Sequence, residues 1–459
     1  MGAAEERTAG PVDLDGQIAR WRRYVERRSA IGDADVDELE DHLRGLVDGL
    51  EASGLSDDEA FLVAVRRMGR LDDVSREFAR EHADRLWKQL VLVRDEPSGP
   101  QGRRGLGVAL VLAVLAGLAV KLPSLLPLDG DTLAGFYLRN TSLLVWPFLA
   151  GWFAWSRGLG VARGLRLLAP PFVLAAVLVN AYPMASDSAT LVLVAIHLPV
   201  ALWFAVGLAY VGGEWRSDRR RMDFVRFTGE WVVYLTLIAL GGGLLVGLTG
   251  AGFEAMGMDA FPVLAEWVVP CGAAGAVLVA AWLVEAKQSV VENIAPVLTR
   301  VFTPLTTLML LVFLVTVVVV RPGVDVERQL LILVDVMLVL VLGLVLYALS
   351  AREPADPPGA FDRLQLALVV GALAVDVLML ASMAGRIAEF GPSPNKVAAI
   401  GLNVVLLVNL ARAARLALGF VRGRRAFAAL ERWQTDYLPV LAAWAAVVVV
   451  VLPPAFSWE

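Results

Sequence analysis

Five polar side chains in the last third of the chain carry its most readable chemistry: Asp335, Asp376, Asn403, Asn409 and Arg412, each set in or beside a long apolar run. An ionisable group inside hydrocarbon is expensive, so it needs a partner, a proton or an ion. Asp376 falls about twelve residues into its run, roughly 18 Å deep at about 1.5 Å per residue. Asn409 lies about twelve residues into the next run from the opposite side, at a similar depth. Asp335 and Asn403 make a comparable pair nearer the outer face. Arg412, one turn from Asn409, is the nearest cation. Two readings stay open. In one, Asp335 and Asp376 are ion- or proton-responsive carboxylates in a polar seam. In the other, all five are interhelical hydrogen-bond glue, worth about 1 kcal/mol or less per contact.

A second set is basic. Arg216, Arg219, Arg220 and Arg221 crowd one short loop. They serve as a topology anchor, a contact for anionic lipid or a docking point for an acidic partner. His197 and Asn180 are isolated polar residues in apolar runs, where a satisfied contact within the helix is the ordinary explanation. Arg139 and Glu266 lie near run ends, within reach of the interface. Gly243 and Gly247 have GxxxG spacing, which suits a packing seam inside the chain or a homo-oligomer face.

Other chemistry is missing from the sequence. It has no GxxxxGK[ST] phosphate loop, no HExxH and no GxSxG. Three histidines and one cysteine, Cys271, leave no metal-ligand cluster to read and no intrachain disulfide. Cys271 reads as a small apolar filler. No catalytic residue, cofactor or metal site is expected, and the protein is read as non-enzymatic.

The elements that must hold these residues are membrane helices. The chain has 459 residues, 57% of them hydrophobic, too apolar for a soluble protein of this length. Apolar runs near 105–122, 140–155, 167–182, 190–212, 231–252, 263–284, 301–320, 329–350, 364–385, 397–420 and 438–456 predict about eleven spans. The second and third are the weakest, and Pro170-Pro171 interrupts the third. With the N-terminus inside, the inner loops hold 16 Lys and Arg and the outer loops 5. That bias predicts a cell-membrane protein with a cytoplasmic N-terminus and the C-terminus outside.

Residues 1–95 are different: 15 Lys and Arg against 22 Asp and Glu. An acidic segment does not suit nucleic acid. Residues 1–12 read as a disordered tail, 13–94 as a cytoplasmic helical domain, 95–104 as a linker and 105–459 as the membrane domain. Helices are predicted over 13–29, 35–52, from the Ser56 capping box to Gly69, and over 72–92. Val36, Leu39, Leu43, Leu46, Val47 and Leu50 form an apolar stripe on the second. The far end of the fourth, with Trp87 and Lys88, lies on the membrane surface or packs on the domain. The fold class is therefore all-α: a small helical domain before a polytopic bundle.

The text ELEDHLRGLVDGLEASGLSDDEAFLVAVRRMG resembles the helical prefix domain of bacterial permease-like membrane proteins. It is similar also to the helical signalling domain found beside PadR-type regulators. Residues Glu38–Leu43, Gly54–Ala60 and Met68-Gly69 carry the likeness. It implies a PadR-type regulator or a membrane partner for the prefix. Docking of the acidic prefix on Arg-rich inner loops is expected, weakening with salt. Residues 361–416, with Arg386, Gly391–Lys396, Gly401–Asn403 and Asn409, resemble a family of bacterial multi-pass proteins with no agreed activity. The functional expectation is a sensor or regulatory membrane component. The alternative is a permease, or a permease subunit moving a small solute or ion.

Overall fold

In a computed structural model of the chain, residues 14–26, 33–53, 55–67, 99–286, 294–317, 328–352, 354 and 356–459 are described. Among them every regular element is helical. The chain divides into two compact units, Met1–Glu96 and Pro97–Glu459.

The first unit contains α1 (Leu14–Glu26), α2 (Asp33–Glu51) and α3 (Asp57–Arg67). The stripe read on α2 becomes its core: Leu43, Val47 and Leu50 bury against Ile18 of α1 and Ala60 and Ala64 of α3. Arg22 of α1 reaches Glu40 at 2.6 Å. Arg44 joins Glu40 at 3.0 Å and Asp15 at 2.8 Å. These pairs pin α1 to α2. The Arg22 guanidinium, and Arg44 after it, holds the Glu40 carboxyl below the usual carboxylate range. The predicted fourth helix, its Trp87 and Lys88, the 1–12 tail, Met68 and Gly69 lie outside the described residues.

The second unit is a helical bundle: α4 (Gly99–Lys121), α5 (Gly130–Ser156), α6 (Val161–Ala181), α7 (Ala189–Tyr210), α8 (Asp218–Ala255), α9 (Val269–Ala286), α10 (Ile294–Val315), α11 (Arg328–Ser350), α12 (Ala360–Phe390), α13 (Pro394–Val421) and α14 (Ala428–Val450). A π-helical turn, Leu264–Val268, leads into α9. Helix α4 starts at Gly99, inside the predicted 95–104 linker. Polar residues punctuate the starts. Asp129 accepts from Thr132 N, Ser188 from Leu191 N, and Asp362 from Gly359 N. Gly391, at φ 75°, ends α12 in a conformation glycine adopts freely, and Pro394 opens α13.

Ten helices among the described residues are long and apolar enough to cross a membrane. The chain is a polytopic integral membrane protein. Ten of the eleven expected spans are among these helices. The predicted span 140–155 lies in α5, where Arg139, Asn140, Thr141 and Ser142 interrupt the apolar run, so α5 is not one of the ten. Its 27 residues nevertheless run the length of the bundle. The loop contacts show this. Arg157 at its end pairs with Glu285, in an end group that also joins Arg221 to Asp436 and Arg226 to the Ser350 carbonyl. Tyr137 near its start bonds the Val120 carbonyl, in the opposite group with Lys121 on the Glu266 carbonyl and Tyr182 on that of Val450.

Two cores organise the bundle. One lies among α4, α5, α7, α8 and α9, rich in aromatic rings such as Phe153 and Phe227. The other lies among α10 to α14 and holds the candidate site. Helix α12 is its axis, packed on α10, α11 and α13. Past Ile238, which still packs on the first core, α8 is largely exposed from Ala239 to Leu248. Positions 243 and 247 would admit a Cβ with nothing within 4 Å. The GxxxG pair is therefore no seam inside the chain. Close approach occurs elsewhere: a Cβ at Gly401 would collide with the Trp444 ring.

Two outcomes follow. Gly401→Ala should lose about 1–3 kcal/mol of stability by overpacking α13 on α14, whereas Gly243→Ala should be neutral or gain at most about 1 kcal/mol. Thermal unfolding in detergent compares them. For α1–α3 the sign runs with Glu40: its folded carboxyl binds protons less readily than the unfolded one. Its stabilisation is present above the ordinary carboxylate range, near pH 4.3, and lost as pH falls below it. Hydrogen-exchange protection of α1 and α2 in the whole protein should drop on acidification, and Glu40→Gln should show the lower protection already at neutral pH.

Candidate functional site

The site begins where three helices meet. Asn403 Nδ2 on α13 donates to Asp335 Oδ1 on α11 at 2.7 Å and to the Ala399 carbonyl at 2.9 Å. It also touches Met383 Sδ on α12 at 3.8 Å. Two oxygen acceptors around Nδ2 fix the amide orientation, since a flipped amide would set oxygen against oxygen. Asn403 Oδ1 then points away, buried and without a partner. The pairing of Asp335 with Asn403, read from depth alone, is present.

Asp376 lies seven residues before Met383 on the same face of α12, two turns or about 10 Å along the axis. It is 0% exposed, and neither carboxylate oxygen has a hydrogen-bond partner. Its neighbours along α12, Ala372, Val375 and Met379, are buried members of the apolar core among α10 to α14. An ionised carboxylate so enclosed, without donors, is strongly disfavoured. The geometry therefore calls for a neutralising species.

Asn409 and Arg412 stand apart from this group. Asn409 shares the depth of Asp376 but faces α14, where it exchanges two hydrogen bonds with Gln434, at 3.1 and 3.0 Å. Trp433 Nε1 donates to the Asn409 carbonyl at 3.3 Å. Arg412 is exposed and lies 4.6 Å from the Trp433 ring centroid. Arg412, expected as the nearest cation to the seam, thus meets the Trp433 ring. Gln434 was hidden in the sequence because α14 begins at Ala428, ten residues before the apolar run at 438.

Other polar positions divide similarly. Helix α10 buries Thr299, Thr303, Thr306 and Thr307, a stripe legible from its three- and four-residue spacing. Leu310 continues that stripe and sits 4.0 Å from a Cβ placed at Gly371. Gly371 is about 140° around α12 from Asp376 at 3.6 residues per turn, so the threonines face another side of that helix. At the arginine-rich end, Arg352 donates to Asp362 at 2.9 Å and lies 4.7 Å from the ring centroids of both Phe420 and Phe427. A cleft lined by Asp362, Gln365, Val369, Ala413, Ala417 and Phe420 opens beside it.

Of the four crowded arginines, Arg221 pairs with Asp218 and Asp436, and Arg220 with Glu214 at 2.9 Å. Arg216 lies over Trp215, and Arg219 is exposed. His197 Nδ1 bonds the Leu193 carbonyl at 2.9 Å. Asn180 is not isolated: it exchanges two hydrogen bonds with Asn140 of α5. Cys271 packs against Gly117. Among the described residues no group of three or more His, Cys, Asp or Glu side chains could hold a metal ion.

Comparison with protein-family models, curated proteins and solved structures gives no match. The chemistry of the site therefore has to be argued from its own residues.

The Asn409–Gln434 pair yields a stability prediction. Asn409→Leu or Gln434→Leu alone should cost about 1–3 kcal/mol, because each leaves the other amide buried and unpaired. The double leucine variant should recover much of that loss in a double-mutant cycle of thermal unfolding.

Proposed function

We propose that the chain is a sensor or regulatory membrane component whose responsive element is the α11–α13 seam holding Asp335 and Asp376. One observation carries this reading: Asp376 is fully buried in an apolar core with both oxygens unpartnered. A carboxyl whose charge has no local support makes its helix packing depend on whether it is neutralised. Glue would look different, with donors on the acid, as in the reciprocal Asn409–Gln434 contact.

The first unit is the signalling part in this proposal, cytoplasmic, with a PadR-type regulator or a membrane partner as its target. The resemblance of residues 38–69 supports that assignment. The orientation rests on the loop charges. The Arg-rich segments around 157, 216–226, 352 and 422–436 gather at one end of the bundle, and a one-sided concentration of arginine favours the cytoplasmic face. A permease or permease subunit for a small solute or ion is the second reading. It is favoured by the polar groups placed at several depths along α12, from Asp362 to the Asn403 contact with Met383.

Asp376→Asn is the direct test. The variant should fold, since an amide replaces an uncharged acid in shape. Hydrogen exchange of α11–α13 in the wild-type protein should change between neutral and alkaline pH, and in Asp376→Asn that change should vanish. An unchanged response in the variant would remove Asp376 from the responsive element. Recovery of a regulator by the whole protein separates signalling from transport, which instead predicts substrate-dependent flux in vesicles.

A further inference from the structure

We propose that the species neutralising Asp376 is a proton, and that it enters through the cleft at the arginine-rich end of α11–α13. The inference rests on Asp376 being the responsive group; it adds the ligand and its route.

The ligand follows from the surroundings. A small metal cation gives up its water only where about six oxygens replace it. Asp376 lies on α12 between the buried core residues Ala372, Val375 and Met379, and among the described residues no group of three or more His, Cys, Asp or Glu side chains could hold a metal ion. A proton neutralises a carboxylate without any such shell. The balance is simple: a proton from water on the cleft side bonds to one Asp376 oxygen, and it leaves by the same path.

The route follows from helix geometry. Gln365, Val369, Asp376 and Met383 fall within about 40° of one another around α12 at 3.6 residues per turn. Gln365 and Val369 line the cleft. From Val369 to Asp376 is seven residues, about 10 Å along the axis. On the facing helix α13 this stretch begins at Ala413 and Ala417, also in the cleft wall. Val369 is itself buried, at the cleft wall and on the face of α12 that carries Asp376. At the other end, the Asp335–Asn403–Met383 contact crosses the seam and closes it. Two polar residues stand in the otherwise apolar cleft wall: Asp362, held by Arg352, and the half-buried Gln365.

The charged groups on the helices packed against Asp376 are few. From α11 comes Asp335, bonded to Asn403. From α13 the facing positions are Leu406 and Leu410, and α10 turns its threonines to another side of α12. On α12 itself, Asp362 is paired with Arg352 at the mouth, and Arg386 lies near the opposite end with an interaction of its own.

The test is infrared spectroscopy of the full-length protein in lipid. The carboxylic-acid C=O band lost in Asp376→Asn is followed during transfer from H2O to D2O. Val369→Phe, and independently Ala417→Phe at the cleft wall, should slow exchange of that band roughly tenfold, a barrier increase of about 1.4 kcal/mol. Val369→Ser should leave exchange as fast as wild type or faster. Equal rates in all three variants would overturn the route. So would acceleration by Asn403→Leu with no effect at Val369, which would place entry at the opposite end. Displacement of the acid band by sodium at constant pH would overturn the proton as ligand. Failure of Asp376→Asn to remove any acid band would instead overturn the reading of Asp376 itself.

Discussion

The arrangement of α10 to α14 turns on one constraint: a carboxyl group enclosed by apolar side chains with no donor within hydrogen-bond reach. Moving an ionised carboxylate into such a place costs several kcal/mol even after relaxation. A packed bundle tolerates this where the charge is removed. Asp376 therefore makes the closeness of α11, α12 and α13 conditional, whereas leucine at the same place would make it permanent. The contrast lies one helix away. Asn409 and Gln434 satisfy each other and need nothing from outside.

The rest of the bundle is built to hold that core firmly. Residues that end and begin the helices, Gly391 with Pro394 and Asp362 at Gly359, fix where α12 and α13 turn. Arg352, beside the rings of Phe420 and Phe427 and bonded to Asp362, ties the end of α11 to the start of α12 and to the α13–α14 turn. Gly401 lets Trp444 of α14 approach two residues from Asn403. A site whose walls are positioned by clamps of this kind can respond to one proton, because the surrounding packing does not simply relax around it.

The fold was legible in the sequence wherever hydropathy and length decide it. Ten of the predicted spans correspond to helices of sufficient apolarity, and the α2 stripe became the core of the first unit. Hydropathy failed where a helix is polar but enclosed: α5 crosses the bundle carrying Arg139 to Ser142, because Asn140 pairs with Asn180 of α6. It also failed at helix ends. Helix α14 starts ten residues before its apolar run, so Gln434 looked like a loop residue and Asn409 was left without its true partner. Depth along the chain put Asp335 beside Asn403, which are hydrogen-bonded, but depth carries no angle around the helix. That angle separates Asp376 from Asn409, and it separates Asp376 from the α10 threonines.

The central claim is that Asp376 is held uncharged by a proton inside this core. The most direct measurement is the carbon-13 shift of its carboxyl carbon in the full-length protein in lipid, assigned by its disappearance in Asp376→Asn and followed with pH. The account predicts the shift of a carboxylic acid at neutral pH, passing to that of a carboxylate only on alkalinisation. A carboxylate shift already at neutral pH, unchanged by further alkali, would contradict it.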